Sequence, residues 1–346
     1  MNQHIQFGLG TFGDVTVDEN GEALSQAQVI RNVVAEGVLA DELRIDYFGV
    51  GEHHRDDFAV TAPETVLGAL ASATKNIQLG SAVTVLSSDD PVRVYERFAT
   101  LDALSNGRAE IILGRGSFTE SFPLFGYNLA DYETLFSEKL DLFSELIKEE
   151  PVTWTGTLRP GLENQEVFPR TESGSLKTWI GVGGSPESVV RAARYGMPMV
   201  LAIIGGQPER FAPYAELFHR ALAELGQPDL PIAVHSPGYI TDSDDKVVDE
   251  LWPNYRVMRD RIGRDRGWPE SSVDEFIGEV KHGSMYAGSP ETVAQKIANT
   301  VSALGIQRFD MKYSAGTLPH ESMMRSIRLY ATEVIPRVRE LLAEKD

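Results

Sequence analysis

Residues 77–116 read IQLGSAVTVLSSDDPVRVYERFATLDALSNGRAEIILGRG, and this stretch contains one complete strand–helix–strand pattern. Ile77–Leu86 and Arg108–Leu113 are short, apolar, β-branched runs, which predict two strands. Between them, Pro91–Ser105 has helical spacing, with proline at its first turn and Asn106-Gly107 at its end. Two strands joined through a helix favour a parallel, right-handed βαβ unit.

The same alternation continues in both directions along the chain. The other predicted strands are Ile5–Gly10, Asp46–Val50, Thr178–Val182, Pro198–Ile203, Pro231–Ile240 and Arg308–Lys312. The other predicted helices are Ser25–Leu43, Pro63–Lys75, Tyr132–Lys148, Glu187–Tyr195, Pro208–Leu225, Asp244–Ile262, Pro290–Leu304 and one near 320–343. Eight strands, each followed by a helix, predict an α/β fold, a single-domain (β/α)8 TIM barrel over residues 1–346. Residues 150–176 and 264–288 are predicted to be irregular insertions.

Composition limits the classes of function. The chain has 346 residues and no cysteine, which excludes disulfides, thiolate metal sites and cysteine nucleophiles. Its N-terminal residues do not resemble a secretory signal and no apolar run of about 18 residues occurs, so we expect a cytoplasmic protein that does not enter a membrane. A net charge of −19 disfavours nucleic acid as a partner and means that an anionic cofactor needs a local positive anchor.

Candidate site residues follow the predicted strands, because the active site of such a barrel lies at the carboxyl ends of its strands. Glu52-His53-His54 follows the second strand, and His53 is the candidate general acid or base. The alternative is an imidazole bonded to a backbone carbonyl. No HExxH pattern accompanies the histidines, so a metal site is not predicted. In the third strand, the small residues Ala82-Val83-Thr84 would let a planar ligand approach the backbone, or they belong to an ordinary buried strand.

Two glycine-rich turns are candidate phosphate sites. In Gly114-Arg115-Gly116, the glycines would let a ligand approach the backbone while Arg115 forks onto a phosphate, unless Arg115 only pairs with a carboxylate. In the second turn, Gly184, Ser185 and Ser188 begin a helix whose N-terminus favours anions, unless Ser185 is simply its cap. Pro186 occupies the sixth position of the GxGxxG pattern, which disfavours a dinucleotide site. Gly288-Ser289-Pro290 is a second anion cradle or another cap.

At these same places the chain resembles the luciferase-like flavin monooxygenases. The similar stretches are Gly51-Glu52-His53-His54, LGSAVTVL at 79–86, DPVR at 90–93 leading to LDALSNGR at 101–108, Gly114-Arg115-Gly116, and AARYGMP at 192–198. Their order and spacing agree from residue 5 to roughly 240, and the phrase DPVR…LDALSNGR is the most specific. One departure is Gly184, where bacterial luciferases carry a carboxylate.

The resemblance implies that reduced FMN binds in the barrel mouth. Ala82-Val83 would match the family's non-prolyl cis peptide beneath the flavin ring. Arg115, Ser185 and Ser188 would match the phosphate ligands, and His53 the catalytic histidine. The family also implies a homodimer through the helices at 63–75 and 91–105.

Three functions remain open from the sequence. The first is a two-component monooxygenase, in which a separate flavin reductase supplies reduced FMN and O2 is used on a small organic substrate such as an aldehyde. The second is an F420-dependent hydride-transfer enzyme, since that branch shares the barrel. The third is a non-catalytic FMN-binding protein.

Overall fold

The eight predicted strands close into one parallel barrel in the computed structural model, which describes residues 5–18 and 20–344. Each strand pairs in parallel with the next, and the last pairs with the first. The barrel strands are β1 (Gln6–Thr11), β2 (Tyr47–Val50), β3 (Gln78–Ser81), β4 (Ala109–Gly114), β5 (Lys177–Val182), β6 (Met199–Ala202), β7 (Ile232–Ile240) and β8 (Arg308–Lys312). The predicted (β/α)8 architecture is therefore confirmed.

Helices surround the barrel and cover its outer surface. They are α1 (Gln26–Glu42), α2 (Pro63–Ala73), α3 (Pro91–Ser105), α4 (Ser121–Leu124), α5 (Tyr132–Leu146), α6 (Pro186–Arg194), α7 (Ala212–Glu224), α8 (Lys246–Glu250), α9 (Trp252–Arg266), α10 (Val273–His282), α11 (Pro290–Leu304), α12 (His320–Leu329) and α13 (Ile335–Ala343). A single π-turn, Tyr330–Val334, joins the last two. Most of the buried apolar side chains form one core between the strands and these helices.

Local sequence sets both ends of α3. The Asp90 side chain accepts hydrogen bonds from the N–H groups of Val92 and Arg93, at 3.0 and 3.3 Å, and so caps α3. At the other end, Asn106 has a φ of 56°, the left-handed conformation that commonly ends a helix. The helix begins and ends where its capping residues predict.

The third strand is shorter than predicted. Instead of running over Ile77–Leu86, it ends at Ser81, and a separate short strand, Thr84–Val85, pairs with β4. Gly80 lies opposite Glu110, but Thr84 lies opposite Leu113, so this segment contains one extra residue relative to its partner. The Ser81 hydroxyl bridges the step, because its Oγ atom lies 3.2 Å from both the N and the O of Ile112. Because the residues around this extra residue are apolar like those of the strand, the sequence pattern does not mark the interruption.

Both predicted insertions contain regular structure, and the prediction of irregular chain was wrong there. Within 150–176, Val152–Trp154 and Leu162–Gln165 form an antiparallel pair. The range 264–288 contains the end of α9, helix α10 and a strand, Tyr286–Gly288, that extends β7 in parallel. Ser272 and Glu275 form a capping box at the start of α10, a signal that the sequence did carry. The helix predicted over Asp244–Ile262 is two helices, which meet at Leu251.

Charged side chains fill the lower interior of the barrel. The Arg308 guanidinium lies between the rings of Tyr47 and Trp179, at 4.1 and 4.4 Å from their centroids. Its Nη1 donates to Glu110 Oε1 at 2.5 Å, and its Nε lies 3.0 Å from Asp310 Oδ2. Burial raises the pKa of Asp310 to about 7, although the charge of Arg308 opposes the shift. This cluster closes the barrel below the site.

Candidate active site

The parallel strands bring the predicted site residues to one rim of the barrel. His53 follows β2, Val83 follows β3, Arg115 follows β4 and Ser185 follows β5. Because β2, β3, β4 and β5 are consecutive neighbours in the sheet, their carboxyl ends form one continuous half of the mouth. The four places singled out in the sequence thus share a single face of the fold.

The two predicted phosphate turns lie side by side. Ser185 caps α6, where its Oγ accepts a hydrogen bond from the Ser188 N–H at 3.3 Å. The two hydroxyl oxygens of Ser185 and Ser188 are 2.9 Å apart. Gly184 has a φ of 106°, a conformation that favours glycine, and its carbonyl accepts a hydrogen bond from Tyr214 at 2.7 Å. Ser185 therefore caps α6, which was the alternative to a phosphate site. The N-terminus of α6 also lies at the rim of the barrel.

Two arginines share one carboxylate beside this helix. Arg115 pairs with Glu133 Oε1, and Arg191 of α6 donates to Glu133 Oε2 at 3.1 Å. Tyr132 lies against Arg115 and donates its hydroxyl to the Gly116 carbonyl at 2.6 Å. Arg115 therefore does pair with a carboxylate, the alternative raised from the sequence. The same two guanidinium groups with the N-terminus of α6 make a donor set suited to a phosphate dianion.

The segment after β3 forms a ledge at the mouth. The Ala82–Val83 peptide bond is cis, as the resemblance implies. A Cβ atom on Gly114 would lie 2.5 Å from Val83 Cγ2, and one on Gly181 would lie 3.3 Å from its Cγ1, so both glycines give Val83 its space. Thr84 is buried with no hydrogen-bond partner for its hydroxyl among the described residues. Of the three small residues, Val83 is the one that is partly exposed.

His53 lies among aromatic rings on the neighbouring side of the mouth. Its ring centroid is 4.6 Å from those of Phe12 and Phe58 and 4.3 Å from that of Phe118. Its Nδ1 is 3.5 Å from Glu120 Oε1. Burial raises the pKa of Glu120, but contacts with His53 and with the backbone outweigh it, and the net shift is downward. Glu120 is thus an ionised partner that orients the imidazole.

His54 has a different environment from its neighbour. Its Nε2 lies 3.0 Å from Glu52 Oε2, and Glu52 Oε1 accepts a hydrogen bond from the Val85 N–H at 2.7 Å. This chain of contacts ties the end of β2 to the ledge. His54 therefore contacts the wall of the barrel through Glu52, whereas His53 lies in the mouth.

Helix α9 covers part of the mouth. Asp265 accepts a hydrogen bond from Arg55 at 2.6 Å, and Arg266 donates to the Ser117 carbonyl at 3.2 Å. Both arginines lie over the ring of Phe118, at 5.2 and 5.3 Å from its centroid. These contacts tie the helix to Phe118, whose ring packs against His53.

Sequence reasoning missed several polar residues of the mouth. Glu120, Glu133 and Arg191 lie away from the strand ends, where the site residues of such a barrel are expected. His235 and Lys312 are within β7 and β8, and only strand alternation could have placed them inside the barrel.

A third glycine-rich turn, Gly288-Ser289-Pro290, is a cap. Ser289 caps α11, and the Asp244 carboxylate already accepts hydrogen bonds from the Ser289 N–H at 2.7 Å and the Thr292 hydroxyl at 2.8 Å. An anion is therefore not expected there. Over residues 5–18 and 20–344, no three His, Asp or Glu side chains cluster as metal ligands, and no helix has the length and apolarity to cross a membrane.

Comparisons with known proteins identify the family. A family model described as luciferase-like monooxygenase matches residues 11–308. An alkanal monooxygenase alpha chain from Photorhabdus laumondii is 24% identical over 372 residues, which cover 95% of this chain and 98% of the relative.

Two solved structures share the fold. The FMN-bound oxygenating constituent of 3,6-diketocamphane monooxygenase from Pseudomonas putida is 19% identical, with a TM-score of 0.76 and coverage of 97% and 99% of the two chains. An F420-dependent secondary alcohol dehydrogenase, in complex with an F420–acetone adduct, is 18% identical, with a TM-score of 0.75 and the same coverage. These likenesses support the architecture, and the family match spans most of it: the chain belongs to the luciferase-like monooxygenase family.

Proposed function

We propose that this protein is a flavin-dependent monooxygenase that binds reduced FMN in the barrel mouth and uses O2 to oxidise a small, aldehyde-like organic substrate. The observation that carries the proposal is the pairing of Arg115 and Arg191 on one carboxylate beside the capped N-terminus of α6. The chain has a net charge of −19, so a cluster of cationic hydrogen-bond donors at the barrel rim favours an anionic ligand.

The residues present fit a flavin phosphate. Arg115, Ser185 and Ser188 supply a guanidinium and two hydroxyls for the phosphate, with the backbone of Gly116 and Gly184 in the same turns. The Glu133 carboxylate pairs with both guanidinium groups. Arg115 must therefore exchange this carboxylate for the phosphate when FMN binds. The backbone of Ala82, Val83 and Thr84 offers a flat ledge for the ring system.

Reduced FMN would supply the electrons that activate O2, and the protein supplies position and proton control. His53 would hold or transfer a proton, because its Nδ1 contacts ionised Glu120 and its ring lies in the mouth. Helix α9 and the phenylalanines around His53 would keep water out. A separate flavin reductase is the proposed source of reduced FMN, and the alkanal monooxygenase relative supports the aldehyde class.

The second candidate is F420-dependent hydride transfer, which is favoured by the shared fold of the F420-dependent alcohol dehydrogenase. Anaerobic titration of the purified protein with reduced FMN and with reduced F420 separates the two. We expect reduced FMN to bind more tightly than reduced F420. When isotope-labelled O2 is then admitted with decanal as the probe, we expect one labelled oxygen atom in the acid product. Tighter binding of F420 with reduction of a ketone probe would replace the proposal by hydride transfer. FMN binding without incorporation of labelled oxygen into the probe would favour a binding protein.

A further inference from the structure

His235 projects into the barrel from β7, whereas the two phosphate turns follow β4 and β5. It lies in β7 two residues after Ala233, which belongs to the apolar cluster inside the barrel, so strand alternation turns both side chains inward. A Cβ atom on Gly10 would lie 2.6 Å from the Cε1 atom of His235. Glycine at this position of β1 therefore makes the room that the imidazole occupies.

His235 and Val83 face each other across the mouth. Their strands, β7 and β3, are four steps apart around the eight-stranded barrel in either direction. The phosphate turns follow β4 and β5, which lie on one of the two arcs between them. A ligand held by its phosphate at Arg115 and extending over the ledge would thus pass between Val83 and His235.

The imidazole of His235 has no hydrogen-bond partner among residues 5–18 and 20–344. Its ring is surrounded by protein but partly exposed to the mouth. Its aromatic neighbour is Phe12, with ring centroids 6.4 Å apart. A polar ring that is left unpaired inside a barrel is costly, unless a ligand or water satisfies it.

Burial, with nearby positive charges, keeps this imidazole neutral. Burial, followed by the positive charges of Lys312 and Arg308, lowers the pKa of His235 to about 4. Lys312 itself is occupied, because its Nζ donates to the two oxygens of Asp14 at 2.9 and 3.1 Å and to the Ser314 carbonyl at 2.5 Å. A neutral imidazole offers one N–H donor and one acceptor nitrogen, and in His235 both are free.

We propose that His235 hydrogen-bonds the ring system of the bound flavin from the wall opposite Val83, an inference that rests on the proposed function. The isoalloxazine ring carries both carbonyl acceptors and an N–H donor, and a neutral imidazole can satisfy either kind. His235 is then a ligand-positioning residue that acts on the ring, whereas Arg115 acts on the phosphate.

The experiment compares FMN with riboflavin, which has the same ring and no phosphate. Both are titrated into the wild-type protein and into the variants His235→Phe, His235→Gln and Arg115→Ala, with the flavin absorbance spectrum recorded at saturation. A net hydrogen bond is worth about 2- to 10-fold in affinity. We expect His235→Phe to weaken both flavins by that factor and to shift the bound spectrum, and His235→Gln to stay within about 2-fold of wild type. Arg115→Ala should weaken FMN far more than riboflavin.

The possible failures are distinguishable. Unchanged affinity and spectrum in His235→Phe, with FMN bound normally by the wild type, would overturn the role of His235 and leave the proposed function standing. A loss confined to FMN would also overturn it, since the residue would then act on the phosphate side. Absence of FMN binding to the wild type would reject the proposed function itself. If His235→Phe does not fold, Gly10→Ala displaces the same imidazole and is expected to weaken both flavins equally; unchanged affinity for both flavins in Gly10→Ala would overturn the role of His235.

Discussion

Adjacent residues at a strand end have separate tasks in this site. His53 lies in the aromatic mouth with Glu120 beside it, and His54 reaches back to Glu52, which holds the Val85 N–H. The side chains of neighbouring residues in an extended chain point to opposite sides, so one histidine faces the ligand space and the next supports the wall. We propose that this single step of the backbone gives His53 the catalytic role and His54 a supporting one.

Replacing His53 tests that division. A positioned general acid or base typically contributes 10²–10⁴-fold in rate, so His53→Ala should lose most oxygenation and keep its FMN affinity within a few-fold. Turnover with reduced FMN and an aldehyde probe measures the first, and anaerobic titration the second. His219→Ala, at an exposed histidine paired with Asp229, is the control. If His54→Ala abolishes turnover at normal stability while His53→Ala does not, the two roles must be exchanged.

We propose Arg115 as the main charged contact of the flavin phosphate. Loss of a charge-assisted contact costs roughly 1.5–3 kcal/mol, so Arg115→Ala should weaken FMN binding about 10- to 150-fold. Because Glu133 competes for this guanidinium, Glu133→Gln should tighten FMN binding or leave it unchanged. Fluorescence titration measures both, with Arg328→Ala at an exposed position as the control. Equal affinity in Arg115→Ala and wild type would make the residue structural.

At the scale of elements, the strands carry charge into the barrel interior. β4 contributes Glu110 and β8 contributes Arg308 and Asp310, and Tyr47 and Trp179 enclose the guanidinium. Buried ions are stable only when they are paired, because desolvation removes the water that would otherwise solvate them. The cluster thus links four strands of the barrel, β2, β4, β5 and β8.

Breaking this cluster should cost stability more than affinity. Removing one partner of a buried pair typically costs 3–5 kcal/mol, so we expect Glu110→Ala to lower the free energy of unfolding by about that amount. Urea unfolding followed by circular dichroism measures the change. Glu291→Ala, which removes an exposed partner of Arg337, should cost less than about 1 kcal/mol. Equal losses in the two variants would show that the interior cluster contributes little.

Periodicity predicts the barrel strands well and their interruptions poorly. The run IQLGSAVTVL is apolar throughout, so nothing in it marks the extra residue after Ser81, which the Ser81 hydroxyl bridges. Turn glycines and caps led to Arg115 and Ser185, since their chemistry is local. Glu120, Glu133 and His235 could not be found in this way, because their roles depend on residues that are distant in sequence.

At the scale of the whole molecule, the surface leaves apolar side chains beside α2 and α3. Leu104 and Phe168 are 53% and 58% exposed and border the same groove between these helices. We propose a homodimer through this face, where burial of apolar area would stabilise association.

Light scattering at micromolar concentration should give twice the chain mass of 38.1 kDa. Leu104→Glu should shift the mass toward that of one chain, because it places a charge in the interface. Leu225→Glu, at another exposed leucine, should not. A mass of 38.1 kDa for the wild-type protein would contradict the homodimer.

We propose that the mouth of this barrel binds FMN through the turns after β4 and β5. A crystal structure of the protein with FMN tests it most directly. We expect the phosphate on Arg115, Ser185 and Ser188, with Glu133 turned away, and the ring between Val83 and His235. A phosphate bound elsewhere, or no FMN in the mouth at millimolar concentration, would contradict it.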